Sequence, residues 1–195
     1  MKIGVLALQG DFREHIRVLE DLGVEAAEVR LPHELDELKG LIIPGGESTA
    51  IGMLMQKYGM DRAIKEKFEK GMKIWGTCAG AILIAKEISG EKKDFSLGLM
   101  DISVRRNGYG RQLQSFEANL NVKCIGGFKG VFIRAPKIVK CGDNCDVLAE
   151  YQGSPVMVHE QNLLATTFHP ELTKDAGIHQ YFIDMVKDEI SIEIS

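Results

Sequence analysis

Between residues 2 and 86, short apolar runs alternate with segments of helical periodicity, and this alternation restricts the chain more than any other feature. K-I-G-V-L-A-L at 2–8 is a continuous apolar run, the pattern of a strand buried on both faces. Asp11, with Glu14 three residues on, forms a capping pair. It opens a helix whose Phe12, Ile16, Leu19 and Leu22 share one face and which stops at Gly23. Val24–Val29 and Leu41–Ile43 predict two more strands, the latter cut off by Pro44-Gly45-Gly46. Ser48 is expected to cap a second helix, and Asp61 a third with Ile64 and Phe68 inward. Ile74-Trp75 is a brief strand running into G-T-C-A-G at 76–80, and Ala81–Lys86 reads as helix. Such alternation implies a parallel sheet covered on both faces.

The second half changes character. Val131–Ile133, Val147–Tyr151, Val156–His159 and Leu163–Phe168 are closely spaced strand patterns punctuated by Gly and Pro, which predicts antiparallel additions. Thr173 is expected to cap a last helix burying Tyr181, Phe182, Met185 and Val186. With 195 residues and no linker, repeat or low-complexity tract, the expectation is one three-layer α/β/α domain over 1–195.

Composition excludes several classes. Lys plus Arg number 24 against 28 Asp plus Glu, a net charge of -4, so no nucleic-acid partner is expected. The longest apolar stretch, Cys78–Ala85, contains Gly80 and falls far below the ~18 residues of a membrane span. The N-terminal run is too short and too soon polar for a secretory signal. A cytoplasmic protein with reduced thiols at 78, 124, 141 and 145 is therefore expected. Cys141 and Cys145 have no second pair at zinc spacing, so no metal is expected. Three nucleotide or zinc motifs also fail. Thr77 stands where a Walker lysine must be, Leu113 ends an incomplete G-x-G-x-x-G, and Leu163 replaces the second histidine of H-E-x-x-H.

G-T-C-A-G has the form of a nucleophile elbow, with Cys78 as nucleophile at a strand-to-helix turn. Gly76 and Gly80 remove side chains where strand and helix crowd, and the following helix presents its first N–H groups to the sulfur. The alternative is a buried cysteine on a Gly-rich strand end. An ordinary thiol is only about 3% ionised at pH 7, so the nucleophile needs a base and a group to orient that base. His15 and His179 fall inside helices, His33 in a polar loop and His159 at a strand end, where packing or surface roles suffice. His169, in F-H-P-E, follows an apolar run and precedes Pro170, which favours an extended conformation. In extended chain His169 and Glu171 project to one side. Cys78, His169 and Glu171 thus form the candidate triad. In P-G-G-E-S at 44–48, Gly45-Gly46 can expose a backbone N–H, and Ala79 N–H is the natural second oxyanion donor. Ser48 has the N-cap alternative, and Glu47 can meet a cation or remain solvated.

Taken together, G-V-L-A-L-Q-G-D at 4–11, P-G-G-E-S-T at 44–49, W-G-T-C-A-G at 75–80 and R-N-G-Y-G-R-Q at 106–112 resemble class I, triad-type glutamine amidotransferases. S-F-E-A at 115–118, G-V-F-I-R-A-P at 130–136 and F-H-P-E-L-T at 168–173 continue the match, and the R-N-x-x-G-R-Q and F-I-R-A-P segments narrow the resemblance to the glutaminase subunits of pyridoxal 5′-phosphate synthases. Those usually read R-N-A-F-G-R-Q, so Gly108 and Tyr109 are departures that keep Arg106 and Arg111. The resemblance implies a flavodoxin-like fold and hydrolysis of L-glutamine to glutamate and ammonia. It implies a separate (β/α)8-barrel synthase that uses the ammonia within a hetero-oligomeric complex, and no cofactor on this chain. It also implies activation on docking, through a surface expected near the Gly45-Gly46 turn and the first helix. Glutamine would lie against Gly46, Glu47 and Ser48 on one side and Arg106, Ile133 and Arg134 on the other. Without the resemblance, the two arginines read as surface residues. Three other readings stay open: a peptidase- or deglycase-like hydrolase, whose supporting Glu near the first strand is here Gln9, a glutaminase for a different synthase, and a scaffold that has lost activity. The tail from Ile190 to Ser195 matches nothing.

Overall fold

The computed structural model describes residues 1–89, 95–110 and 114–188. Its frame is a seven-stranded sheet. The first strands are β1 (Lys2–Leu6), β2 (Glu25–Val29), β3 (Gly40–Ile43) and β4 (Lys73–Thr77). They are joined by β10 (Asp146–Tyr151), β11 (Ser154–Glu160) and β12 (Leu163–Thr166) in the order β10-β11-β12-β4-β3-β1-β2. From β12 to β2 all neighbours run parallel, and β11 pairs antiparallel with both β10 and β12. The antiparallel addition expected of the second half is therefore β10 and β11, while β12 extends the parallel body. The parallel order reads 2-1-3-4 and then β12, the doubly wound, flavodoxin-like arrangement.

Alternate strand residues feed two cores, as a pleated strand requires. Ile3, Val5, Ile42, Trp75 and Leu164 pack on one face with α1 (Phe12–Asp21) and α5 (Gly177–Val186). Leu41, Ile43, Ile74 and Ala165 pack on the other with α2 (Ser48–Tyr58), α3 (Met60–Glu69) and α4 (Ala79–Ile84). Tyr181, Phe182, Met185 and Val186 are buried as expected. Among the described residues no helix is long and apolar enough to cross a membrane.

Several local expectations are corrected. Ser48 is the first helical residue of α2, and the cap is Glu47, whose carboxylate accepts from the N–H groups of Thr49 and Ala50. Gly59, in the left-handed conformation, precedes α3, so Asp61 lies in its first turn. Asp11 sits at the N-cap of α1 without a side-chain capping bond. Thr173 closes a turn through the carbonyls of Pro170 and Asp175, and the Asp175 carboxylate takes the Gly177 N–H at the start of α5. The helix after the elbow stops at Ile84, and β5 (Ala85–Ile88) begins at once. With β6 (Met100–Arg105) and β9 (Lys137–Cys141), β5 makes a small second sheet. A hairpin of β7 (Ser115–Val122) and β8 (Gly126–Ile133) completes the architecture.

Because β12, β4, β3 and β1 are parallel and adjacent, their carboxyl ends meet along one edge. The edge collects His169 after β12, Cys78 after β4, Gly45-Gly46 after β3 and Asp11 after β1. Strand order reverses at β1, flanked by β2 and β3, and such crevices are where sites form in open α/β sheets.

Candidate active site

Cys78 is the single residue between β4 and α4, with φ 48° and ψ -101°. A positive φ on a side-chain-bearing residue costs roughly 1–3 kcal/mol and persists only where its surroundings enforce it. Here the Cys78 N–H is held by the Thr166 carbonyl at 2.8 Å. Gly80 makes the turn possible, since a Cβ there would stand 1.9 Å from the Ile43 carbonyl oxygen. The Cys78 side chain is nearly buried, and its Sγ lies 3.8 Å from the Ile133 carbonyl oxygen at the end of β8.

His169 is buried, and its Nδ1 lies 2.7 Å from Glu171 Oε1. The pairing arises differently from the sequence expectation. His169 itself is extended enough (φ -107°, ψ 87°), but Glu171 lies in a 3-10 turn over Pro170–Leu172. Tightening after Pro170, rather than strand geometry, folds the carboxylate back onto the ring. Burial opposes a charged imidazole, but hydrogen bonds to Cys78 and Glu171 outweigh it and push the His169 pKa up to about 10. Burial pushes the Glu171 carboxyl above its ordinary value, against the pull of the His169 hydrogen bond and charge. Since Nδ1 faces Glu171, Nε2 is the nitrogen left for the thiol. The result is a thiol, an imidazole and a carboxylate brought together, a set of groups able to perform thiol-mediated acyl transfer.

The P-G-G-E-S turn closes over this line. A Cβ on Gly45 would stand 2.4 Å from His169 Cε1, so only glycine allows that approach. The Gly45 carbonyl accepts from the Asp11 N–H at 3.1 Å, and in a trans peptide the Gly46 N–H points the opposite way. Gln9 Oε1 accepts from the Glu47 N–H at 2.8 Å, so Gln9 braces the turn. Burial works against the Glu47 charge, but the Thr49 and Ala50 N–H groups hold its carboxyl below the ordinary range. Arg106 donates from Nη1 to Ser48 Oγ at 2.5 Å and Thr49 Oγ1 at 3.1 Å, which joins two predicted substrate residues. Arg134 is exposed with φ 43°, just past β8. Ala79 is buried at the start of α4. Arg111 lies outside the described residues, as does the 190–195 tail.

Residues given plain structural roles turn out to adjoin the candidate triad. Asp11 Oδ2 is 3.6 Å from His169 Nδ1, and His15 Nε2 is 3.4 Å from Glu171 Oε2. Their spacing of four on one helix face was the available signal. Asp11, His169 and Glu171 bring one ligand atom each within 4.8 Å of one another, the only such group among the described residues. His169 Nδ1 is already committed to Glu171 and the ring is held protonated, which suits hydrogen bonding rather than metal ligation. Cys141 and Cys145 pack at the edge of the core, with burial pushing both thiols up.

The fold and the chemistry of this constellation are those of a glutamine amidotransferase. A solved glutamine amidotransferase crystal structure superposes with a TM-score of 0.92 at 49% identity, covering 95% of this chain and 98% of that one. More narrowly, the chain belongs to the SNO glutamine amidotransferase family, whose profile matches residues 5–188. Among curated relatives, the pyridoxal 5′-phosphate synthase subunit PdxT of Dehalococcoides mccartyi is 56% identical over 192 residues, covering 96% of this chain and 98% of the relative. The PdxT subunit of Thermosipho africanus is 52% identical, covering 96% of this chain and all (100%) of the relative. A GMP synthase component of Thermoplasma acidophilum, at 21% identity and TM-score 0.73 over 96% of this chain and 94% of that one, shares the fold. Family membership removes the peptidase- or deglycase-like reading.

Proposed function

We propose that the whole chain acts as one glutaminase domain, with Cys78, His169 and Glu171 as its triad, supplying ammonia to a pyridoxal 5′-phosphate synthase partner. The observation that carries the catalytic assignment is the buried His169–Glu171 contact of 2.7 Å beside the strained Cys78 elbow. The PdxT relatives, 56% and 52% identical over nearly the full chain, support glutamine as substrate and the vitamin B6 branch as destination.

Cys78 Sγ, as thiolate, attacks the side-chain amide carbon of L-glutamine. The carbonyl π pair moves to oxygen, and the oxyanion takes hydrogen bonds from the Gly46 and Ala79 N–H groups. His169 gives its Nε2 proton to the departing nitrogen, the C–N bond breaks, and ammonia leaves a thioester on Cys78. Neutral His169 then takes a proton from water, whose oxygen attacks the thioester. Collapse releases glutamate and returns the thiolate beside a protonated ring. Glu171 holds the imidazole orientation and faces its positive charge throughout. Arg106, fixed by Ser48 and Thr49, is suited to grip the glutamine α-carboxylate, with Glu47, Ile133 and Arg134 lining the approach. The partner is a (β/α)8-barrel synthase that docks near the Gly45-Gly46 turn and α1, completing the oxyanion hole in a hetero-oligomer. A nucleophilic thiol that must stay reduced favours the cytoplasm as the compartment.

The test is ammonia release from L-glutamine with and without the synthase, beside Cys78→Ala. Strong activation lost in Cys78→Ala is the expected result. Equal activity of wild type and Cys78→Ala in a confirmed complex overturns the assignment.

A further inference from the structure

On the far side of Glu171 from His169 lies a buried polar line that the chemistry above leaves unused. His15 on α1 and His179 on α5 are fully buried, and Thr77 is the residue just before Cys78. His15 Nδ1 and His179 Nε2 are 2.9 Å apart. His15 Nε2 lies 3.2 Å from Thr77 Oγ1 and 3.4 Å from Glu171 Oε2. The last approach is too long and bent for a full hydrogen bond, and Oε2 has none. Both rings pack edge-on against Trp75, which fixes their planes.

The tautomers follow from what surrounds the two rings. Burial holds both neutral, His179 down to about 3 and His15 well below its ordinary value, the latter lowered further by the neighbouring His179 and His169. A neutral imidazole has one donor and one acceptor nitrogen. If His15 Nδ1 donated, the His179 proton would sit on its own Nδ1, which is buried with no partner. A lone pair on His15 Nε2 would then face the Glu171 carboxylate, a second penalty. If His179 Nε2 donates instead, only an acceptor is left unpaired. His15 then carries its proton on Nε2, aimed at Thr77 Oγ1 and Glu171 Oε2.

We propose that His15 is a positioning residue of the glutaminase: its Nε2–H, set by His179, steadies the outer oxygen of Glu171 while the inner oxygen holds His169. The inference rests on the triad reading, in which Glu171 orients the base. The charged and titratable groups facing Glu171 are few. His169 meets it from beyond β12, Asp11 and His15 from α1, and a cavity of about 400 Å³ beside it also carries Glu14, Arg17, Asp21 and Lys174. Burial, then the Asp11 charge, raise the Glu171 pKa, and His169 lowers it. The His15 dipole acts with His169. Losing it moves protonation of Glu171 to higher pH.

The experiment measures kcat and KM for L-glutamine against pH in the complex with synthase, for wild type, His15→Leu and His15→Gln. His15→Leu, which cannot donate, is expected to lower kcat about fivefold, below the roughly tenfold of one full hydrogen bond to a charged group because the approach to Oε2 is long and bent. KM stays unchanged and the acidic limb of the kcat profile moves to higher pH. His15→Gln, whose carboxamide N–H can donate, recovers most of the loss. Superimposable profiles for His15→Leu and wild type, or equal losses in both variants, overturn the proposal. Should the variants not fold, 15N NMR of the wild-type chain decides it: a proton on His15 Nε2 is expected, and one on Nδ1 refutes it. Failure of the underlying reading looks different, as glutamine hydrolysis that survives Cys78→Ala.

Discussion

Adding one methyl group at Gly80 tests how the elbow is built. Ile43, whose carbonyl a Cβ at Gly80 would approach to 1.9 Å, is the last residue of β3, immediately before Pro44-Gly45-Gly46. Real Cβ atoms essentially never come within 3.0 Å, so Gly80→Ala must open the gap by at least about 1.1 Å. The obstacle is backbone inside a sheet, not a side chain that can swing away. Either α4 moves, carrying Cys78 and Ala79, or the end of β3 moves, carrying Gly45-Gly46. Both routes separate the proposed oxyanion donors from each other. A misplacement of about 1 Å can cost on the order of 10²-fold in rate. Overpacking costs ~1–3 kcal/mol, and each kcal/mol lowers Tm by ~2–4 °C in a chain of this size. Gly127→Ala is the control, because nothing lies within 4 Å of its Cβ position. The assay is synthase-activated ammonia release together with thermal unfolding of both variants. If Gly80→Ala matched Gly127→Ala in rate and Tm, the crowding account of the elbow would be refuted.

Other expectations follow from single contacts. Arg106→Ala removes the donor shared by Ser48 and Thr49, and should raise the glutamine KM about 10- to 100-fold with a smaller change in kcat; an unchanged KM takes Arg106 out of the binding site. Cys78→Ala removes a hydrogen bond and a charge that raise the His169 pKa, so His169 should titrate clearly below about 10 by NMR; an unmoved titration would mean that Glu171 alone sustains the shift. Trp75→Phe takes the indole N–H from Thr166 Oγ1, 3.1 Å away and fully buried, and should cost about 1–3 kcal/mol in denaturant unfolding followed by circular dichroism.

The parallel frame was legible because its strands are short and uniformly apolar, as in G-L-I-I at 40–43, and its helices carry one apolar face. The proposed triad was picked out for a different reason. An elbow needs glycines at fixed offsets, and a His two residues from a Glu is a local pair. Three caps were misplaced, since Ser48, Asp61 and Thr173 have the right chemistry but lie one to three residues from positions the backbone chose. The break after Ile84 was hidden because A-I-L-I-A reads equally as helix or strand, and no Gly or Pro marks the change. In β7, by contrast, Ala118, Leu120 and Val122 alternate with exposed polar residues, a period-two signal present in the sequence. The buried line behind Glu171 was not legible, because α1, β4 and α5 meet there only once the sheet has formed.

Cys78 is kept strained by its surroundings rather than by its own segment. Its φ of 48° has no local cause, because G-T-C-A-G alone does not oblige the cysteine to take it. The constraint comes from sequence-distant backbone. The Thr166 carbonyl at the end of β12 holds the Cys78 N–H, the Ile133 carbonyl at the end of β8 faces Sγ, and the Val131 carbonyl accepts from the His169 N–H at 2.8 Å. Hence β8, in the β7–β8 hairpin outside the main sheet, contacts both Cys78 and His169. Strain of roughly 1–3 kcal/mol at Cys78 is sustained by pairing elsewhere. A change in the hairpin can therefore act on the chemistry without touching any residue of the triad.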